Sequence, residues 1–95
     1  MNEFYELLIN IKNKPNIYLG KPSLELLRAF ISGYVICKNY NLDYYPDFQE
    51  FIQQKYKIDF TKHWTEIINF FSSNEEEAFY KFYEHLEEFL NNRNR

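Results

Sequence analysis

The sequence is poor in the residues that build reactive or metal-binding sites. Among its 95 residues there is one cysteine, Cys37, which excludes an intramolecular disulfide and a zinc site built on cysteines. The two histidines, His63 and His85, are far apart and belong to no His-Glu-x-x-His or similar ligand spacing. The composition therefore predicts a protein without a catalytic residue, a metal site or a cofactor.

Long apolar runs and an excess of positive charge are also missing. No stretch approaches the roughly 20 apolar residues that a membrane-spanning helix needs. The N-terminus carries Glu3 and Glu6, where a secretory signal would have a basic end and an apolar centre. The net charge of −3 disfavours direct binding to nucleic acid, which relies on Lys and Arg. The expectation is a cytoplasmic protein that binds neither membranes nor nucleic acid directly.

Glycine and proline are scarce and concentrated in one place. Both glycines and two of the three prolines lie within residues 14–34. Elsewhere apolar residues recur at helical spacing, and an aromatic content of 21% supplies large side chains for a small core. The sequence therefore predicts an all-α fold, with residues 1–95 forming one compact bundle of about five helices. The predicted helices cover approximately residues 2–13, 23–40, 46–56, 61–71 and 73–90.

Polar residues mark the expected starts of three helices. Ser23 follows a proline and is predicted to cap the second helix through its hydroxyl. Thr61 is placed to cap the fourth helix in the same way. Ser73 and Glu76 have the Ser-x-x-Glu spacing of a capping box, which predicts the start of the fifth helix.

The glycine- and proline-containing segment is expected to form a turn without a further helix. Gly20 is predicted to adopt a positive φ angle, which costs glycine nothing. Residues 17–19 are then expected to fold back over the helices as a lid. Gly33 lies in the middle of a helix, which predicts that another helix approaches it closely. Cys37, on the same apolar helix, is expected to be a small buried hydrophobe.

A row of glutamates on the last helix forms the first candidate binding surface. At 100° per residue, Glu77, Glu84 and Glu88 fall within about 40° of one another, opposite the predicted buried face. Glu87 flanks them, and we call these four residues the acidic stripe. Two interpretations remain open: an ordinary solvated helix face, or a docking face for a basic protein surface.

The connection before the third helix forms the second candidate binding surface. It contains Asp43, Tyr44, Tyr45 and Asp47. Tyrosine supplies a large contact area at a small entropic cost and is enriched in protein interfaces. These four residues are therefore predicted to contribute to partner binding together with the acidic stripe.

The turn segment resembles a pattern found in small bacterial proteins, in which a basic residue and proline precede a Tyr-Leu-Gly turn and a capped helix ends in Gly-Tyr. The matching residues are Lys14, Pro15, Tyr18, Leu19, Gly20, Ser23, Leu27, Phe30, Gly33 and Tyr34. The later stretch also resembles the second half of that pattern, at Trp64, Ile67, Ile68, Phe70, Ser72, Glu75, Ala78, Phe79 and Phe82. Proteins of this kind include the immunity proteins of contact-dependent growth inhibition and related polymorphic toxin systems.

This resemblance implies a function that the composition does not give. It implies a helical cytoplasmic protein, monomeric when free, that binds the C-terminal domain of a cognate toxin and occludes its active site. The toxin would be a basic nuclease. Lys14 stands where the pattern more often has arginine, and the matching residues belong to the scaffold, so no contact residue follows from them. The alternative function is a small helical adaptor or a homodimeric interaction module.

Overall fold

The structure, a computed structural model, describes residues 3–37, 47–58 and 62–93, and this part of the chain forms six helices and no strand. They are α1 (Glu3–Asn13), α2 (Pro15–Leu19), α3 (Leu24–Cys37), α4 (Phe48–Tyr56), α5 (Trp64–Phe70) and α6 (Glu75–Arg93). The predicted all-α fold is confirmed, with one helix more than expected. None of these helices combines the length and the apolar character needed to cross a membrane.

Helix α6 is the central element of the bundle and packs against α3, α4 and α5. Its apolar residues recur every three or four positions, so they form one continuous face that points into the core. The fully or almost fully buried residues of this face are Ala78, Phe79, Phe82, Tyr83, Leu86 and Phe89. The predicted inward face of the last helix is therefore confirmed, although the helix extends to Arg93 rather than ending near residue 90.

An aromatic junction connects α4, α5 and α6. The ring of Phe48, at the start of α4, makes edge contacts with Trp64 at 5.0 Å, Phe82 at 5.8 Å and Phe89 at 5.4 Å between centroids. Trp64 also stacks on Phe82 at 5.0 Å. Edge-on and offset-stacked arrangements of this kind are the favourable geometries for aromatic rings. Phe48 therefore links three helices through one side chain.

A buried hydrogen bond connects the first helix to the last. The Tyr83 hydroxyl donates to the backbone carbonyl of Leu8 at 2.7 Å. Burial raises the pKa of Tyr83, so the phenol remains protonated and keeps donating. Phe4, Leu8 and Ile11 of α1 are buried nearby, at the helical spacing that the sequence predicts.

The turn segment differs from the prediction because residues 15–19 form the short helix α2. Pro15 occupies its first position, where a fixed φ angle and a missing N–H are well tolerated. The lid prediction is wrong for Ile17, whose side chain is 75% exposed, whereas Leu19 does pack against the core. Gly20 ends the helix with φ 89°, and its N–H donates to the Asn16 carbonyl at 3.1 Å. The predicted positive φ is confirmed.

Helix α3 is less buried than its apolar sequence predicts. It packs against its neighbours on one side, which buries Leu24, Leu27 and Val35. On the other side Ile36 is 67% exposed, and Cys37 is exposed rather than buried. Apart from the neighbouring backbone of α3 itself, no atom of the described residues lies within 4 Å of the place where a Cβ on Gly33 would stand. Within the described residues no other helix approaches Gly33 closely, so that prediction is wrong there, and the prediction of a buried Cys37 is also wrong.

The helix caps are partly those predicted. The Ser23 hydroxyl accepts the N–H of Leu26 at 3.3 Å and caps α3, as expected. Helix α5 is capped by His63, whose Nδ1 accepts the N–H of Thr65 at 3.2 Å. Thr61, the predicted cap, lies outside the described residues.

The start of α6 is displaced by one residue from the predicted capping box. The Asn74 side chain accepts the N–H of Glu77 at 2.8 Å, and the Glu77 carboxylate accepts the N–H of Ser73 at 3.1 Å. The predicted pair was Ser73 with Glu76, and that pairing is wrong. Both Ser73 and Asn74 are good cap residues, so the sequence pattern alone fits either start.

The two glycines should respond in opposite directions to the same substitution. Gly20→Ala should destabilise the protein by about 1–2 kcal/mol, because an alanine resists a positive φ even where its Cβ has room. Gly33→Ala should stabilise it by up to about 1 kcal/mol, since alanine is the better helix former and the position is open. Denaturant unfolding of both variants measures this difference. Wild-type stability of the Gly20 variant would contradict the backbone argument.

Candidate protein-binding surface

The charges of three carboxylates of the acidic stripe act on the same residue, Tyr56 at the end of α4. Burial is the main cause that raises the pKa of Tyr56, and the charges of Glu88, Glu84 and Glu77 add to it. All three belong to one helix, at spacings that place them on one side of α6. Glu87 lies at the other edge, where it lines a groove between α1 and α6 with Lys12.

Glu77 already has structural partners. Its carboxylate accepts the N–H of Ser73 and lies 3.3 Å from the Lys81 ammonium. The Ser73 hydrogen bond, followed by the Lys81 contact, lowers the pKa of Glu77. This carboxylate therefore fixes the start of α6, and Lys81 offsets part of its charge.

Glu88 is also paired within the fold. It lies 2.9 Å from the Lys55 ammonium of α4 and accepts a hydrogen bond from Nδ1 of His85 at 3.0 Å. The His85 hydrogen bond and then the Lys55 hydrogen bond lower the pKa of Glu88. Neither Glu84 nor Glu87 forms an ion pair with another described residue, and both are exposed. Of the four predicted residues, these two carry a charge that no described residue pairs with.

His85 belongs to a network that the sequence does not predict. Its side chain is almost fully buried, and Nε2 lies 2.6 Å from the Tyr56 hydroxyl. With Nδ1–H donating to the Glu88 carboxylate, Nε2 is left to accept the hydrogen bond of the Tyr56 hydroxyl. Both ring nitrogens are bonded, so the histidine connects α4 to α6. The spacing of His85 and Glu88 is visible in the sequence, but the contact with Tyr56 requires the fold.

Tyr56 also belongs to a cluster of three aromatic side chains. We call Tyr56, Phe70 and Phe71 the aromatic patch. Phe71 stacks on Tyr56, with centroids 4.9 Å apart and planes 17° apart. Phe70 contacts Phe71 edge-on at 5.0 Å. Phe70 is 80% exposed and Phe71 is 42% exposed, although Phe71 follows the buried Ile67 and Ile68 at helical spacing. The reason is that α5 ends at Phe70, so Phe71 leaves the helical face.

A small pocket adjoins the aromatic patch. It encloses about 160 Å³, and its lining consists largely of the apolar side chains of Ile58, Ile67, Phe70 and Phe71. Lys62 and Glu66 are the charged residues of its lining. An apolar pocket with a few polar groups is the usual form of a recognition site.

The second candidate surface lies mostly beyond what the structure describes. Asp43, Tyr44 and Tyr45 fall outside the described residues. Asp47 is exposed immediately before α4, and its side chain forms no capping hydrogen bond with the described residues. A carboxylate at this end of a helix is nevertheless favoured by the helix dipole.

The described residues place an acidic helix face, an aromatic patch and an apolar pocket next to one another. No group of three or more His, Cys, Asp or Glu side chains within residues 3–37, 47–58 and 62–93 is placed to hold a metal ion. The arrangement is suited to contact with another protein, since aromatic side chains with a charged surround are typical of interfaces. No protein-family model, curated protein or solved structure matches this chain.

Proposed function

We propose that this chain is a cytoplasmic immunity protein that binds a cognate toxin domain and neutralises it by occluding its active site. The toxin would be a basic nuclease domain at the C-terminus of a larger protein. The sequence resemblance motivates this proposal. The observation that carries it is the exposed acidic face of α6, where Glu84 and Glu87 have no ionic partner among the described residues.

An acidic helix face is chemically suited to blocking a nuclease. A nuclease holds phosphates with Lys and Arg, so its active site presents positive charge. Carboxylates on an inhibitor offer that site a charge of the same sign as its substrate. Such complementarity raises the rate and the specificity of association more than the affinity alone. The inhibitor needs no chemistry of its own, because covering the site is sufficient.

Charge reversal on the stripe tests the proposal. The double variant Glu84→Lys/Glu87→Lys should bind the toxin domain at least tenfold more weakly, mostly through a slower association rate that depends on salt. Neither carboxylate forms an ion pair with another described residue, so the fold should be retained. Biolayer interferometry against the toxin domain, and a nuclease assay with added wild type or variant, measure the two effects.

The control is Glu25→Lys on α3, which reverses an exposed charge on another helix. It should leave binding near the wild-type value. If the double variant and the control bind the toxin domain equally well, the acidic stripe is not part of the interface. Absence of any binding or inhibition by the wild type would contradict the immunity function itself.

The second candidate function is a homodimeric or adaptor module. The exposed apolar side of α3, including Leu26 and Ile36, is the observation that favours it. Exposed apolar faces on helices commonly pack against another helix. Sedimentation separates the candidates, because the immunity proposal expects a monomer at high micromolar concentration and the dimeric module does not.

A further inference from the structure

The outer face of α6 carries one exposed aromatic side chain, Tyr80, among its carboxylates. Tyr80 is 37% exposed, whereas the other aromatic residues of α6 are buried. Glu76 lies four positions before it and Glu84 four positions after it, and side chains at this spacing are neighbours on a helix surface. Both glutamates are exposed. The face of α6 therefore presents an aromatic ring between two negative charges.

The negative charge beside this ring is not offset by a basic residue of the same helix. Neither Glu76 nor Glu84 forms an ion pair with another described residue. Lys81 lies 3.3 Å from the Glu77 carboxylate and donates to the Phe71 carbonyl at 2.9 Å. Its ammonium is therefore already engaged, and a cationic group of a partner complements the two remaining carboxylates.

The ring of Tyr80 is supported from within the fold and holds no cation of its own. It meets the buried Phe79 edge-on, with centroids 5.0 Å apart. Among the described residues no lysine or arginine lies over this ring, since the cation–π contact of Lys12 is with Tyr83. A cation placed over the face of an exposed tyrosine is attracted by the ring electrons. The ring and the carboxylates thus favour the same kind of ligand.

Arginine is the side chain that uses both features at once. Its guanidinium is planar and weakly hydrated, so it stacks on an aromatic ring while its N–H groups bond a neighbouring carboxylate. A lysine ammonium is compact and strongly hydrated, so it gains less from the ring. A nuclease that holds phosphates with basic side chains presents arginine at the surface that an inhibitor must cover.

We propose that Tyr80, with Glu76 and Glu84 on either side, receives an arginine side chain from the basic surface of the toxin domain. This inference rests on the proposed function and names the group that the acidic face of α6 recognises. The carboxylates attract any cation and speed the encounter, whereas the ring favours a guanidinium over an ammonium. Tyr80 is then the residue that determines specificity on this face.

Two peptides of equal charge test the preference without the toxin. The wild type should bind hexa-arginine about threefold more tightly than hexa-lysine in a calorimetric titration at low salt. Tyr80→Leu removes the ring but keeps an apolar, helix-forming residue, so it should bind the two peptides equally. Tyr80→Phe keeps the ring and should retain the preference. Equal binding of the peptides by the wild type, binding of neither, or an unchanged preference in Tyr80→Leu would overturn the inference.

Tyr18→Leu on α2 is the matched control, because Tyr18 is also 37% exposed. It should retain the preference for hexa-arginine and the wild-type rate of dissociation from the toxin domain. Tyr80→Leu should dissociate from the toxin domain about threefold faster or more. The circular dichroism of both variants should match the wild type, because neither side chain is buried.

Chemical labelling identifies the group that Tyr80 contacts. Phenylglyoxal, which modifies arginine, should be blocked at one arginine of the toxin domain in the wild-type complex, and Tyr80→Leu at saturating concentration should protect it less. Protection of lysines alone against acetylation, or unchanged dissociation of Tyr80→Leu from the toxin domain, would overturn the inference and leave the immunity function intact. Failure of the wild type to bind the toxin domain rejects the proposed function itself.

Discussion

Phe48→Ala should destabilise the protein by about 3–5 kcal/mol, which is a large part of the 5–15 kcal/mol typical of a whole domain. The Phe48 side chain is buried and contacts Trp64, Phe82 and Phe89, so its removal opens a cavity where three helices meet. The bundle cannot collapse into this space without moving α4 relative to α6. Denaturant or thermal unfolding measures the loss.

The control for this experiment is Phe70→Ala, which removes the same side chain from an 80% exposed position. Its stability should stay within about 0.5 kcal/mol of the wild type. Phe48→Leu should recover most of the loss, since leucine refills part of the volume. Similar stability of Phe48→Ala and Phe70→Ala would contradict the central role of the aromatic junction.

The second large effect is expected for Tyr56→Phe, which should lower the free energy of unfolding by about 1–3 kcal/mol. The substitution keeps the ring that stacks on Phe71 but removes the hydroxyl that bonds to His85 at 2.6 Å. Nε2 of a nearly buried histidine is then left without that partner, and leaving a buried polar atom unsatisfied costs more than the bond itself contributes.

Tyr80→Phe is the matched control, because it removes a hydroxyl from an exposed tyrosine that makes no hydrogen bond with the described residues. It should change the stability by less than about 0.5 kcal/mol. Chemical unfolding at neutral pH compares the two variants. Equal and small effects would show that the His85 network contributes little to the α4–α6 contact.

Local signals explain why much of the fold could be predicted. The inward face of α6 follows from apolar spacing within one helix, and the Ser23 cap and the Gly20 conformation follow from single residue types. Helix α2 was missed because a five-residue helix carries too little periodicity to distinguish it from a turn. Pro15 closely follows the predicted end of the first helix at residue 13, and it also begins α2.

Features that depend on tertiary packing could not be predicted in this way. The apolar residues of α3 surround much of the helix, but only one side finds neighbours, which leaves Gly33 open and Cys37 exposed. The grouping of Glu77, Glu84 and Glu88 was visible from helical geometry. The ion pair between Lys55 and Glu88 could not be seen in this way, since Lys55 belongs to another helix. The aromatic patch depends on where α5 ends, which periodicity defines poorly.

The aromatic junction has a consequence for how unfolding can be followed. Trp64 is the only tryptophan of the chain, and its ring contacts those of Phe48 and Phe82. Its fluorescence therefore reports on the place where α4, α5 and α6 meet, while circular dichroism reports on all helices together. Coincident unfolding curves from the two signals would indicate that α1 and α2 separate from the bundle only when the junction itself breaks.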